Sequence, residues 1–170
     1  MAFTIIDSCT GCTACERRCP TAAIHGIKKE MFYIDPNLCI DCGACGAVCP
    51  DEAILDNYGV ITQQLKAQER PKAFVQLEKC VGCVYCVNAC PFDCITMEKA
   101  PNAITGSAGI AATIAVVDQK KCVGCTLCEL DCPYDAIHVW RQDDARCKVL
   151  NDHNKDLWST GVSPGKKQAA

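Results

Sequence analysis

The sequence predicts an α+β fold of two small modules in tandem, each made of short antiparallel hairpins and short helices gathered around metal. Three observations predict it. Sixteen of the 18 cysteines in the 170 residues fall into four copies of one pattern, C-x2-C-x2-C-x3-C-P. Aromatic residues make up only 6% of the chain, too few large side chains for two modules to fold on apolar burial alone. Short apolar segments, three to five residues long and rich in isoleucine and valine, stand before and after the copies, as strands of small sheets do.

The four copies are Cys9, Cys12, Cys15 and Cys19; Cys39, Cys42, Cys45 and Cys49; Cys80, Cys83, Cys86 and Cys90; and Cys122, Cys125, Cys128 and Cys132. Their spacing is that of the bacterial [4Fe-4S] run. Three cysteines two residues apart let one tight loop aim three thiolates at three irons of a cube. Gly11, Gly43, Gly82 and Gly124 allow close backbone approach and turn N–H groups toward sulfur. The fourth cysteine lies about a helical turn further on, and Pro20, Pro50, Pro91 or Pro133 then turns the chain away, which frees that thiolate for a neighbouring cube. Structural zinc would ask for two separated C-x-x-C pairs instead. A disulfide framework suits a secreted chain, and no charged and apolar leader precedes Cys9.

In chain order, Phe3–Ile6 is predicted as a strand entering the first motif and Ala22–His25 as the strand leaving it. Met31–Ile34 returns, Asp35-Pro-Asn turns into the second motif, and Ala53–Leu55 leaves. Residues after each third cysteine, such as Glu16–Arg18 and Gly46–Val48, have room for one short helix. Ile61–Arg70 has the composition of a linker helix. Ala73–Leu77, Ile95–Met97, Thr113–Val117 and Ile137–Trp140 repeat the plan around the third and fourth motifs. After each Pro comes a small residue and then isoleucine: Ala23-Ile24, Ala53-Ile54, Cys94-Ile95 and Ala136-Ile137. These isoleucines are expected to lid the clusters.

The side chains give a formal charge of −3. Four oxidised cubes, each about −2 with its thiolates, bring the working protein to about −11. That charge implies a basic docking face on a partner and argues against nucleic acid. No membrane span is expected, because the longest apolar run, Gly109–Val117, is far too short. The chain is expected in the cytoplasm. Cys94 and Cys147 are expected to be bystanders, and His25, His138 and His153 lack partner residues for a metal site. No catalytic triad, phosphate loop or dinucleotide fingerprint is present in the sequence, so the chain is read as an electron carrier without a catalytic residue.

On these motifs the chain resembles the bacterial two-[4Fe-4S] ferredoxins twice over, which implies ferredoxin-like modules at 1–57 and 72–140. The linker is then 58–71, a loop insertion lies at 101–112, and a C-terminal docking tail runs over 141–170. The resemblance implies crossed ligation of four [4Fe-4S] clusters. One cluster takes Cys9, Cys12, Cys15 and Cys49, and its neighbour Cys39, Cys42, Cys45 and Cys19. In the second module one takes Cys80, Cys83, Cys86 and Cys132, the other Cys122, Cys125, Cys128 and Cys90. A nested arrangement, pairing first motif with fourth and second with third, is the rival. The 30-residue interval from Cys9 to Cys39, that of a simple ferredoxin, favours tandem modules.

The chain is also similar to the polyferredoxin small subunits of tungsten aldehyde oxidoreductase and benzoyl-CoA reductase complexes of anaerobic metabolism. That similarity implies that one partner is a tungstopterin-containing catalytic oxidoreductase subunit. The other would be a ferredoxin or a flavin- or NAD-linked redox subunit. Small subunits of hydrogenase or formate dehydrogenase complexes, and a free polyferredoxin store, are the alternatives.

Overall fold

The computed structural model describes residues 2–100 and 113–159, with side chains through Lys155. By contact the chain divides into two units, Met1–Arg70 with Val123–Cys125, and the remainder.

In the first unit, strand β1 (Thr4–Ile5) lies antiparallel to β4 (Ile54–Leu55), with Ile5 opposite Ile54. Strand β2 (Ile24–His25) forms a hairpin with β3 (Tyr33–Ile34), with Ile24 opposite Ile34. Two-residue strands are enough because each apolar residue turns inward: Ile5, Ile24 and Ile54 are buried with Phe3 and Phe32. Cys15, Cys45 and Cys49 belong to the same core, so the cysteine loops supply part of the apolar packing. Single 3-10 turns at Glu16–Arg18 and Gly46–Val48 follow the third cysteines, as predicted. The turn into the second motif is built by Asp35, whose carboxylate accepts from the backbone N–H of Asn37 at 2.8 Å while its carbonyl accepts from Cys39 at 3.0 Å.

The predicted linker helix does not form. Ile61 instead makes a bridge to Leu55, and Thr62 donates to the Ile54 carbonyl from both its backbone N–H (2.8 Å) and its hydroxyl (2.7 Å). Leu65 N–H then reaches the Ala47 carbonyl at 3.1 Å. Helix propensity over Ile61–Arg70 is worth a few tenths of a kcal/mol per residue, and an open strand edge that can accept hydrogen bonds outweighs it. Gly46 makes the close seat possible, because a Cβ there would stand 2.4 Å from the Thr62 hydroxyl.

The second unit repeats the plan with longer strands. Strand β5 (Pro71–Val75) pairs with β8 (Ile137–Arg141), Val75 facing Ile137, and β6 (Ile95–Lys99) pairs with β7 (Thr113–Val117), Ile95 facing Val117. Helices α1 (Tyr85–Asn88) and α2 (Leu127–Leu130) contain the third cysteines, Cys86 and Cys128. Among the described residues of each unit, the first strand therefore pairs with the last and the middle two pair with each other.

Within the expected docking tail, 141–170, Ala145–Ser159 form helix α3. It lies on its own unit. Cys147 is buried and donates its Sγ–H to the Arg141 carbonyl at 3.0 Å, and the Asn154 amide donates to the Val75 carbonyl at 2.8 Å. The Arg146 guanidinium sits 4.7 Å over the Trp140 ring, whose other neighbours are His138, stacked at 4.9 Å, and Phe74. The rest of the tail, 160–170, and the 101–112 insertion lie outside the described residues.

Candidate iron-sulfur sites

Each cysteine loop is wound by left-handed residues. The residue before the second cysteine has positive φ in all four copies (Gly11, Asp41, Gly82, Gly124), and so does the residue after it (Thr13, Gly43, Val84, Thr126). Gly43 therefore stands one place later than the other three glycines, and Asp41 takes the place they share. At Gly11 and Gly82 the need for glycine is also steric. A Cβ would come within 2.4 Å of the Glu30 carbonyl oxygen in one loop and 2.5 Å of the Thr113 carbonyl oxygen in the other.

A third left-handed position follows each proline, at Ala22, Glu52, Asp93 and Asp135, with φ near +50°. It turns the next N–H back on the fourth cysteine: Ala23 to Cys19 Sγ at 3.2 Å, Ala53 to Cys49 at 3.3 Å and Ala136 to Cys132 at 3.4 Å. Further N–H groups reach first cysteines, Gly11 to Cys9, Ala115 to Cys80 and Ala73 to Cys122, each at 3.4 Å. Donors aimed at sulfur offset the negative charge of a thiolate, as a cluster requires.

The loops bring cysteines of different motifs together. One hollow is lined by Cys9, Cys12, Cys15 and Cys49 under Ile54. A second is lined by Cys39, Cys42, Cys45 and Cys19 under Ile24. In the second unit a third is lined by Cys80, Cys83, Cys86 and Cys132 under Ile137. The remaining cysteines, Cys122, Cys125 and Cys128, are buried, with Cys90 half-buried. Ile24, Ile54, Ile95 and Ile137 are all buried, and Ile24, Ile54 and Ile137 line the hollows as expected of lids. Among the described residues, no three His, Cys, Asp or Glu side chains close on a point as they would around a single ion. Four thiols around an apolar hollow fit a cube of iron and sulfide.

Burial pushes the Cys15 and Cys86 thiols up to about 11 and Cys45 up to about 12, and raises Cys42 as well. Such groups hold their protons at neutral pH unless a metal replaces them, so cluster binding releases protons. Cys94 is buried, its Sγ 3.3 Å from Cys90 Sγ, and its thiol is raised by burial and then by its contacts with Cys90 and Cys122. Sequence reasoning treated it as a bystander. The available signal was its place in the repeat, where the other copies hold alanine. Among the described residues the three histidines have other neighbours: His138 faces Glu129 and Asp135, His153 faces Glu78, and His25 packs on Tyr33.

Comparison with known proteins picks out the same cysteine motifs. A 4Fe-4S dicluster domain family model matches residues 8–53 and again 79–136, and a second 4Fe-4S dicluster model matches 31–91. The chain is 44% identical over 61 residues to Ferredoxin-2 of Chlorobaculum tepidum, covering 32% of this chain and 97% of that one. It is 40% identical over 74 residues to a ferredoxin of Alicyclobacillus acidocaldarius, covering 42% and 94%. A stretch of 89 residues, 49% of this chain, is 33% identical to 14% of an iron-sulfur subunit of the CoB–CoM heterodisulfide reductase of Methanocaldococcus jannaschii. Among solved structures, a chain of the formate dehydrogenase, heterodisulfide reductase and formylmethanofuran dehydrogenase complex from Methanospirillum hungatei is similar at 23% identity and a TM-score of 0.39. That match covers 88% of this chain and 56% of that one, and is too distant to bear on function. Two dicluster domains provide for about four [4Fe-4S] clusters, and among the described residues no helix is long and apolar enough to cross a membrane. With two copies of the domain matched over more than half of its length, the chain belongs to the 4Fe-4S dicluster ferredoxin family and is an iron-sulfur electron-transfer protein.

Proposed function

We propose that the chain is the electron-transfer subunit of a cytoplasmic oxidoreductase complex, carrying four [4Fe-4S] clusters in two tandem modules. The clusters are ligated in the crossed sets named above, and cycle between 2+ and 1+ states at about −400 mV. The observation that carries this reading is the lining of the three cavities, each by three cysteines of one motif and the fourth of its neighbour. Four clusters exceed what a small diffusing carrier holds. The partial match to a heterodisulfide reductase subunit, in which such a stretch is one part of a larger redox protein, favours service to an enzyme. The best candidate for that enzyme is a catalytic subunit of the tungsten aldehyde oxidoreductase type. At the other end of the wire stands a ferredoxin or a flavin- or NAD-linked subunit. Hydrogenase and formate dehydrogenase complexes are the nearest alternatives.

The test has two parts. Protein purified without oxygen should contain about sixteen irons and sixteen labile sulfides. Cys49→Ala should disturb the EPR signal that Cys12→Ala disturbs. If it disturbs the Cys42→Ala signal instead, the sets are not crossed. Identification of the large subunit that co-purifies from native extract then decides the partner.

A further inference from the structure

The four ligand sets do not sit in equal surroundings. In the first and third sets the described donors to sulfur are backbone N–H groups, to Cys9 and Cys49 and to Cys80 and Cys132. The second set adds the Thr21 hydroxyl, 3.6 Å from Cys19 Sγ, but also an anion, the Asp41 carboxylate 3.7 Å from Cys39 Sγ. Once Cys39 binds iron it has no proton to share, and the carboxylate then opposes any further electron on that cluster.

The set of Cys90, Cys122, Cys125 and Cys128 differs in two ways. Lys72, on β5, is the buried charged side chain among the described residues, 8% exposed, and its ammonium donates to the carbonyl of Cys122. The next residue along the strand, Ala73, gives its N–H to Cys122 Sγ. The second difference is Cys94, whose Sγ lies 3.3 Å from Cys90 Sγ. A Cys90 bound to iron can only accept, so Cys94 is the donor, where the other three copies place the methyl of an alanine.

Burial by itself disfavours adding an electron to an anionic cluster. A cation buried beside it does the reverse, and does so more strongly than at the surface because little water screens it. An S–H donor to a ligand sulfur acts in the same direction. We infer that Lys72 and Cys94 make the cluster of Cys90, Cys122, Cys125 and Cys128 the most readily reduced of the four, the place where an electron entering the chain comes to rest. This rests on the four-cluster reading above.

The experiment is a potentiometric titration followed by EPR on the loaded full chain, with the signal of this cluster identified as the one altered in Cys128→Ser. In the unmodified protein that signal should be the first to appear on reduction. Lys72→Met should weaken its reduction equilibrium about tenfold or more, a shift of about 59 mV for a one-electron couple, and leave in place the signals of the clusters begun at Cys9 and Cys39. Cys94→Ala should shift it the same way by a smaller factor. Because alanine fills that position in the other copies, this variant decides the matter if Lys72→Met does not load. Another signal appearing first, or an unmoved signal in a fully loaded Cys94→Ala variant, overturns the inference. So does loss of a cluster from Cys94→Ala, which would make Cys94 a ligand. A failure of the four-cluster reading shows separately, as an iron content well short of sixteen in the unmodified chain.

Discussion

At the scale of single residues, the cluster loops are governed by backbone handedness. Gly82 has φ +72° and no room for a Cβ against the Thr113 carbonyl, whereas Gly59 has φ +80° and open space around it. An alanine at either position carries the left-handed penalty of roughly 1–2 kcal/mol, but only at Gly82 must the backbone also move. Gly82→Ala should therefore lose iron from the site of Cys80, Cys83, Cys86 and Cys132, while Gly59→Ala should keep full iron and sulfide with only a small fall in thermal midpoint. The cysteines and their closing prolines were legible in the sequence because ligand chemistry allows no substitute. The left-handed Thr13, Val84 and Thr126 were not, since their side chains give no hint of positive φ. Lys72 was illegible too, one lysine among others until the strand turned it inward.

Among the elements, strands were easy to read and α3 was not. Short apolar runs marked β5 and β7, whereas α3 is polar along most of its length and is held, among the described side chains, by particular contacts such as Cys147, Asn154 and the Arg146 face on Trp140. No periodic apolar stripe announced it. The linker failed for a related reason, because what fixes Thr62 and Leu65 is the edge left open by β4 and the 3-10 turn, a tertiary fact. A chain cut after Trp140 should accordingly be less stable in its second unit by at least about 2 kcal/mol, the scale of one buried side chain. Thermal unfolding followed by circular dichroism should show a lowered transition for that unit and an unchanged one for the first. Co-purification with a partner is then best tested on chains that keep α3.

For the molecule as a whole, the thiols tie stability to pH. In the metal-free chain the raised values of Cys15, Cys86 and Cys45 mean that the folded state binds protons more tightly than the unfolded chain, whose thiols titrate near 9. The contribution of these thiols to the stability of the metal-free protein is complete below pH 9 and is lost as pH rises through about 11 to 12. Cluster-bound thiolates carry no proton to lose, so an alkaline titration should unfold the stripped protein first and leave the loaded protein's dichroism unchanged over the same range. The pairing of first strand with last has a consequence for synthesis. β5 has no partner until β8 is made, and the hollow begun by Cys80 is incomplete until Cys132 follows. At about 5–20 residues per second the ribosome needs several seconds to cover that interval. During those seconds the early thiols stand open to oxygen and stray metal, so each half of this protein is assembled only once its own last strand has arrived, and whatever delivers iron must wait for it.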